Sequence, residues 1–193
     1  MARPSGTVWR PGETDVSIRP GWFYHAPEDA KVKSVAELLQ IHFASVGRNS
    51  KLLLNVPPGP NGLIADADRQ RLLEFREAVD RIFRVDLASG AKVKWKNVGK
   101  RRAAEIDLGR SVTVGIAALE EAIESGQTVA RYRLEGETAA GWQLLSRGET
   151  IGYRKLDRFS PVAVRRVRLV IEESLDTPKL AAVRLYAPSD VSF

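Results

Sequence analysis

The sequence contains no cysteine among its 193 residues. That excludes a disulfide framework, a thiolate metal site and a cysteine nucleophile. Histidine is almost as scarce: there are only His25 and His42, and an all-histidine zinc site usually needs about three. No metal and no other cofactor is therefore expected. Long apolar runs are missing too. Nothing approaches the roughly 18 uninterrupted apolar residues of a membrane span, so no membrane partner is expected. A hydrophobic share of 44% is too high for a disordered tail, and no collagen-like or low-complexity bias is present. Met1 is followed by Ala-Arg-Pro-Ser-Gly rather than an apolar segment, so no targeting signal is read and localisation stays open. There is no phosphate-cradling glycine motif and no Ser/His/Asp arrangement. The charge balance, 30 Lys and Arg against 24 Asp and Glu, gives a net +6. That value permits anionic partners without demanding them.

What is present falls into two halves with different periods, expected as domains 1–85 and 86–193. In the first, residues 17–24 read as a short strand broken by Arg19-Pro20-Gly21. Val35, Leu38, Leu39, His42, Phe43 and Val46 then recur at helical steps. Ser34 followed by Glu37 fits a capping box, and Gly47 is a natural stop. Lys51-Leu52-Leu53-Leu54-Asn55-Val56 is apolar on both faces, as in a parallel strand covered by helices. A second amphipathic helix is predicted over residues 66–83. This βαβα order is the grammar of an α/β domain. After residue 86 short β-branched segments recur between Gly, Asn and Ser, which predicts an antiparallel β-sandwich. Only residues 118–125 carry a helical reading there. Tyr132, Trp142 and Leu169 are expected in the sandwich interior.

Two strands and two helices do not cover a parallel sheet on both faces. Either the first half packs against the sandwich, or the chain is the C-terminal piece of a larger protein; the second reading is preferred. Uncovered apolar faces favour self-association. The basic run Lys92-Val93-Lys94-Trp95-Lys96 with Lys100, Arg101 and Arg102 is read as a solvated strand face with a buried Trp95, so no nucleic-acid partner is expected.

Chemistry concentrates between Trp9 and His25, where two carboxylates, two arginines, two tryptophans, a tyrosine and a histidine fall within one short stretch. Glu13 and Asp15 read as a loop ordered by Pro11 and Gly12. Aromatic rings stack on the apolar faces of sugars, and carboxylates act as acid, base or nucleophile at a glycosidic bond. The same residues equally describe a Gly/Pro-ordered corner with buried aromatics and a solvated Glu-Thr-Asp.

The string Glu13-Thr-Asp-Val-Ser-Ile-Arg-Pro-Gly-Trp-Phe-Tyr-His25, with Ser45-Val-Gly-Arg-Asn49 and Leu52-Leu-Leu-Asn-Val-Pro-Pro58, resembles the C-terminal end of the family 29 glycoside hydrolases, the retaining α-L-fucosidases. The likeness continues through Trp142-Gln-Leu-Leu and Gly148-Glu-Thr-Ile-Gly152. It implies a fold that is α/β plus all-β: the remnant of a (β/α)8 barrel followed by an antiparallel, galactose-binding-like β-sandwich. It also implies a fucosylated oligosaccharide or glycoconjugate as substrate. In the family a carboxylate nucleophile attacks the anomeric carbon and a second carboxyl group serves as acid and then base. Glu13 matches the acid/base, in a pocket walled by Trp9 and Trp22. Asp15 is the runner-up, or a residue orienting the loop through Arg19. Trp22 is the leading candidate for sugar packing, followed by His25. Asn55, at the end of its strand, either meets substrate or caps the loop. The family's nucleophile has no counterpart here, so the chain alone is expected to be inactive. The competing reading is a non-catalytic carbohydrate-binding or structural fragment.

Overall fold

Alternation of Thr14 and Val16 with Glu13 and Asp15 makes a strand, and the computed structural model, which describes residues 8, 10 and 12–190, places one there. Strand β1 is Gly12–Ser17 and pairs in parallel with β2, Ser50–Asn55. The register sets Glu13 beside Lys51, Asp15 beside Leu53 and Ser17 beside Asn55. This corrects the reading of residues 17–24 as the strand and of Glu13 and Asp15 as loop residues. Pro20 has no N–H to give a ladder, and the chain turns after Ser17, whose hydroxyl donates to the carbonyl of Gly21 at 2.6 Å. Trp9 and Pro11 lie outside the described residues.

A parallel pair needs a crossover. It consists of a 3-10 turn, Ala26–Lys31, and helix α1, Val35–Ala44. Ser34 and Glu37 form the expected capping box: the Glu37 N–H donates to Ser34 Oγ, and the Ser34 N–H donates to Glu37 Oε2 at 2.7 Å. Past the helix end, the Gly47 N–H donates to the carbonyl of His42 at 3.0 Å. Helix α2, Asp66–Ile82, packs on α1 through an aromatic cluster. The His42 ring lies 6.1 Å from those of Phe43 and Phe75, and Phe43 stacks on Phe83. Leu38 and Leu39 are fully buried.

The second unit, Val85–Ser189, is one antiparallel sheet. Its strands are β3 (Val93–Val98), β4 (Arg101–Glu121), β5 (Val129–Thr138), β6 (Gly141–Glu149), β7 (Lys155–Ser174) and β8 (Leu180–Tyr186). They run in the order β3-β4-β7-β5-β6, with β8 also paired to β4. The arrangement is consistent with a β-sandwich. Its interior holds Val114, Leu119, Tyr132, Leu134, Val167, Leu169 and Leu185. The Tyr132 hydroxyl donates to Asp157 at 2.6 Å, so the one polar atom on this buried ring is satisfied.

Residues 118–121 are strand, not helix; only a 3-10 turn, Ile123–Ser125, follows. Ala117, Ala118 and Leu119 are all fully buried, and β4 is paired along both edges here, with β7 and β8. A strand buried on both faces loses its alternation and so mimics a buried helix. At its end Glu121, 3% exposed, accepts from the N–H groups of Thr128, Val129 and Gly152 at 2.7–3.0 Å, joining three chain segments.

Trp142 is not interior. It is half-buried on the outer face, with the guanidinium carbons of Arg168 and Arg166 4.0 and 5.6 Å from its ring centroid. Trp142→Ala should therefore cost about 1–2 kcal/mol in urea unfolding, the scale of a partly covered cation–π contact plus lost packing. The full burial expected of it would make that about 3–5 kcal/mol. Trp95 is likewise only half-buried, with Arg102 4.6 Å from its ring.

Around Trp142 the outer face carries a lattice of ion pairs. Arg133 joins Glu135 and Glu172, Arg168 joins Glu135, and Arg166 joins Glu137. Burial works against the Glu135 charge, but hydrogen bonds from Arg133 and Arg168 win and hold its carboxyl below the usual range. Glu172 is lowered chiefly by Arg133, and Glu137 by Arg166. A carboxylate whose folded pKa is depressed stabilises above its unfolded value, about 4.3, and that contribution fades as pH falls through the folded value. Melting temperatures of this unit should hold level above about pH 5 and drop below pH 4. A flat profile down to pH 3 would contradict the lattice.

Candidate functional site

The loop joining β1 to α1 carries most of the chemistry singled out in the sequence, and it is built around Arg19. The Arg19 side chain is fully buried. Its Nε donates to both carboxylate oxygens of Asp68, at 3.1 and 2.9 Å. Its Nη2 donates to Asp29 at 2.7 Å and its Nη1 to the carbonyl of His25 at 3.3 Å. The Tyr24 ring covers the guanidinium, 4.7 Å from its centroid. Burial opposes the charge, but the bonds from Arg19 to Asp29 and Asp68 outweigh it, so the group is held protonated above its ordinary range. Asp68 is also fully buried and sits in the first turn of α2, where the helix dipole favours a carboxylate.

Two more clasps close the loop. Lys33 Nζ donates to the carbonyls of Ser17 and Arg19, at 2.7 and 3.2 Å. Asn55 Nδ2 donates to Ser17 Oγ at 3.2 Å and to the carbonyl of Trp22 at 3.0 Å. Asn55 is the last residue of β2, so this amide ties the C-terminal end of one strand to the loop leaving the other. Held in this way, Trp22 remains 52% exposed and Phe23 77% exposed, an unusual state for large rings on an ordered loop. His25 is exposed as well and precedes the 3-10 turn.

The structure therefore brings Trp22 and Asn55 together, with His25 on the same loop. Glu13 and Asp15 stand apart from them. Both are exposed on one face of β1, and among the described residues neither carboxylate takes a hydrogen bond or ion pair. At about 3.3 Å per residue, Asp15 lies about 6.6 Å and Glu13 about 13 Å along the strand from Ser17, where the Trp22 loop begins. The expectation that Asp15 orients the loop through Arg19 is not met, since Arg19 spends its donors on Asp68, Asp29 and His25. No group of three or more His, Cys, Asp or Glu able to hold a metal occurs among the described residues.

Asp68, Asp29 and Lys33 were not selected from sequence as site-building residues, and Arg19 entered only as the group through which Asp15 would orient the loop. An arginine between Ile18 and Pro20 is the one local hint, because a fixed turn and an apolar neighbour leave its charge little room in solvent.

The Alpha-L-fucosidase family profile matches residues 2–79, the stretch that forms this loop and both its strands. The chain is similar to the α-L-fucosidases. Alpha-L-fucosidase 1 of Arabidopsis thaliana is 34% identical over 211 residues, covering 94% of this chain and 41% of that protein. The chain thus spans about two fifths of that relative's length. Among solved structures, SpGH29 is 37% identical with a TM-score of 0.89, over 96% of this chain and 46% of the other. A Ruminococcus gnavus GH29 fucosidase in complex with fucose is 29% identical with a TM-score of 0.87, over 97% and 43%. Both likenesses extend through the second unit, so the similarity covers two units with quite different grammars.

Proposed function

We propose that this chain forms part of a retaining α-L-fucosidase that releases terminal fucose from glycoconjugates, and that β1 and β2 are strands of its (β/α)8 barrel. The observation that carries the reading is the exposed Trp22 ring, held by Asn55 through its own carbonyl at the C-terminal ends of two parallel strands. Barrel active sites form at that end. The L-fucose ring offers an apolar face for stacking, and fucose is the sugar bound by the Ruminococcus gnavus relative.

Glu13 is the proposed acid/base and Asp15 its competitor. Glu13 has the longer reach; Asp15 stands one pleat nearer Trp22. The two share one face of one strand and so approach a sugar from one side. A retaining mechanism needs its nucleophile opposite the leaving group, about 5–5.5 Å from the acid. That carboxylate is proposed to come from outside these 193 residues. The exposed face of β2 that bears Leu53 is proposed to be covered by the remaining barrel strands; without them the chain is expected to self-associate.

The test compares this chain alone with the complete enzyme, meaning the chain joined to the rest of the barrel that the family resemblance implies. With an aryl α-L-fucoside, the complete enzyme should turn over and the chain alone should not exceed background. Turnover by the chain alone would remove the need for an outside nucleophile. A complete enzyme that leaves α-L-fucosides intact would end the reading.

A further inference from the structure

Arg19 meets the candidate substrate residues only through the backbone carbonyl of His25, yet it and its partner Asp68 are the two fully enclosed charges among the described residues of the first unit. It makes four hydrogen bonds to three partners spread over 49 residues of sequence: Asp68, Asp29 and the His25 carbonyl. Two of these partners, Asp29 and His25, lie on the stretch that carries Trp22, and the third belongs to helix α2. The guanidinium therefore fastens both ends of the 20–29 segment to one rigid element. An arginine fork is needed for this, because a lysine ammonium is a point donor that does not hold Asp68 through Nε while reaching Asp29 and a carbonyl with its outer nitrogens. The opposite side of the same loop is pinned by Asn55, on the carbonyl of Trp22 itself.

We infer that Arg19, with Asp29 and Asp68, is a positioning residue for sugar recognition. It holds the loop in the one shape that presents the Trp22 ring to the fucose face. The inference rests on the proposed fucosidase reading and extends it to a residue with no substrate contact. Its consequence is specific. Stacking on Trp22 is made equally in the ground state and the transition state, so its loss raises KM and leaves kcat in place. Arg19 should reproduce that pattern, and only through Trp22.

The experiment is a double-mutant cycle in the complete enzyme, read both by L-fucose binding and by kinetics on an aryl α-L-fucoside. Arg19→Lys keeps the charge opposite Asp68, and Trp22→Ala removes the ring. Each single variant should weaken fucose binding and raise KM about tenfold, with kcat within about twofold. The double variant should be no worse than Trp22→Ala, because residues acting through one contact are non-additive. Asp29→Asn provides the same test without touching the fully buried pair, since Asp29 is 47% exposed. It should show a smaller KM effect that also vanishes in the Trp22→Ala background.

An Arg19→Lys effect that persists in the Trp22→Ala background, or that falls on kcat, overturns the inference and leaves the fucosidase reading intact. So does a variant that melts earlier yet binds fucose normally, the signature of a purely structural residue. A wild-type complete enzyme that binds no fucose overturns both.

Discussion

In the complete enzyme, Glu13→Ala should slow hydrolysis of fucosides with poor leaving groups by about two to four orders of magnitude. A departing alkoxide needs a proton in the transition state, and the proposed acid supplies it. An activated aryl leaving group departs with little protonation, so its first step should survive and the glycosyl-enzyme should accumulate. Deglycosylation then lacks a base to activate water. Azide needs no base, so it should restore turnover of the aryl substrate and yield a fucosyl azide with retained configuration. Asp15→Asn should show neither the leaving-group dependence nor the rescue. The reverse outcome transfers the assignment to Asp15, in keeping with its place one pleat nearer Trp22. If neither variant shows the pattern, the acid/base lies outside this chain together with the nucleophile.

The second large effect is one of stability. Asp68→Ala should destabilise the first unit by about 3–5 kcal/mol, because it strips the fully buried Arg19 of its one fully buried counter-charge and leaves only the half-exposed Asp29. Against a typical domain stability of about 5–15 kcal/mol, that is a large fraction. Replacing both charges by apolar residues of similar volume, Arg19→Met with Asp68→Leu, should cost far less, since the penalty comes from an unpaired buried charge rather than from losing the pair. Urea unfolding followed through Trp22 fluorescence reports both. A loss under about 1 kcal/mol for Asp68→Ala would show that water reaches Arg19 and that the triad is not sealed.

Local chemistry made much of this molecule legible in advance. Helix α1 announced itself through Ser34, Glu37 and the spacing of Leu38, Leu39 and Phe43, all interactions within a few residues. The leucine run of β2 and the alternation around Tyr132 were equally readable, and each lies where periodicity put it. The departures share one cause: partners distant in sequence. Strand β1 was displaced by a few residues because its ladder partner, 38 residues away, decides where pairing starts. Residues 118–121 resembled helix because their burial does not alternate, and they are strand because partners from far downstream pair with both their edges. Trp142 was expected inside because its neighbours alternate; it lies outside because Arg166 and Arg168 arrive from β7 to cover it. The Arg19 triad was invisible for the same reason, its two carboxylates standing 10 and 49 residues further on.

Strands β4 and β7 run 21 and 20 residues and pair with each other along nearly their whole length, interrupted by register shifts at Asp107/Val112 and Val114/Ile116. Arg102 meets Ile171 at one end and Leu119 meets Lys155 at the other. These pairings separate contacting residues by tens of positions, so loop-closure entropy must be overcome before much is gained from them. A topology of that kind folds slowly, on the millisecond-to-second scale of non-local β-proteins. The same two strands form the centre of the sheet, where β3 and β8 pair with one and β5 with the other. The sheet should refold in one slow concerted phase, with substitutions at either shift moving the same rate.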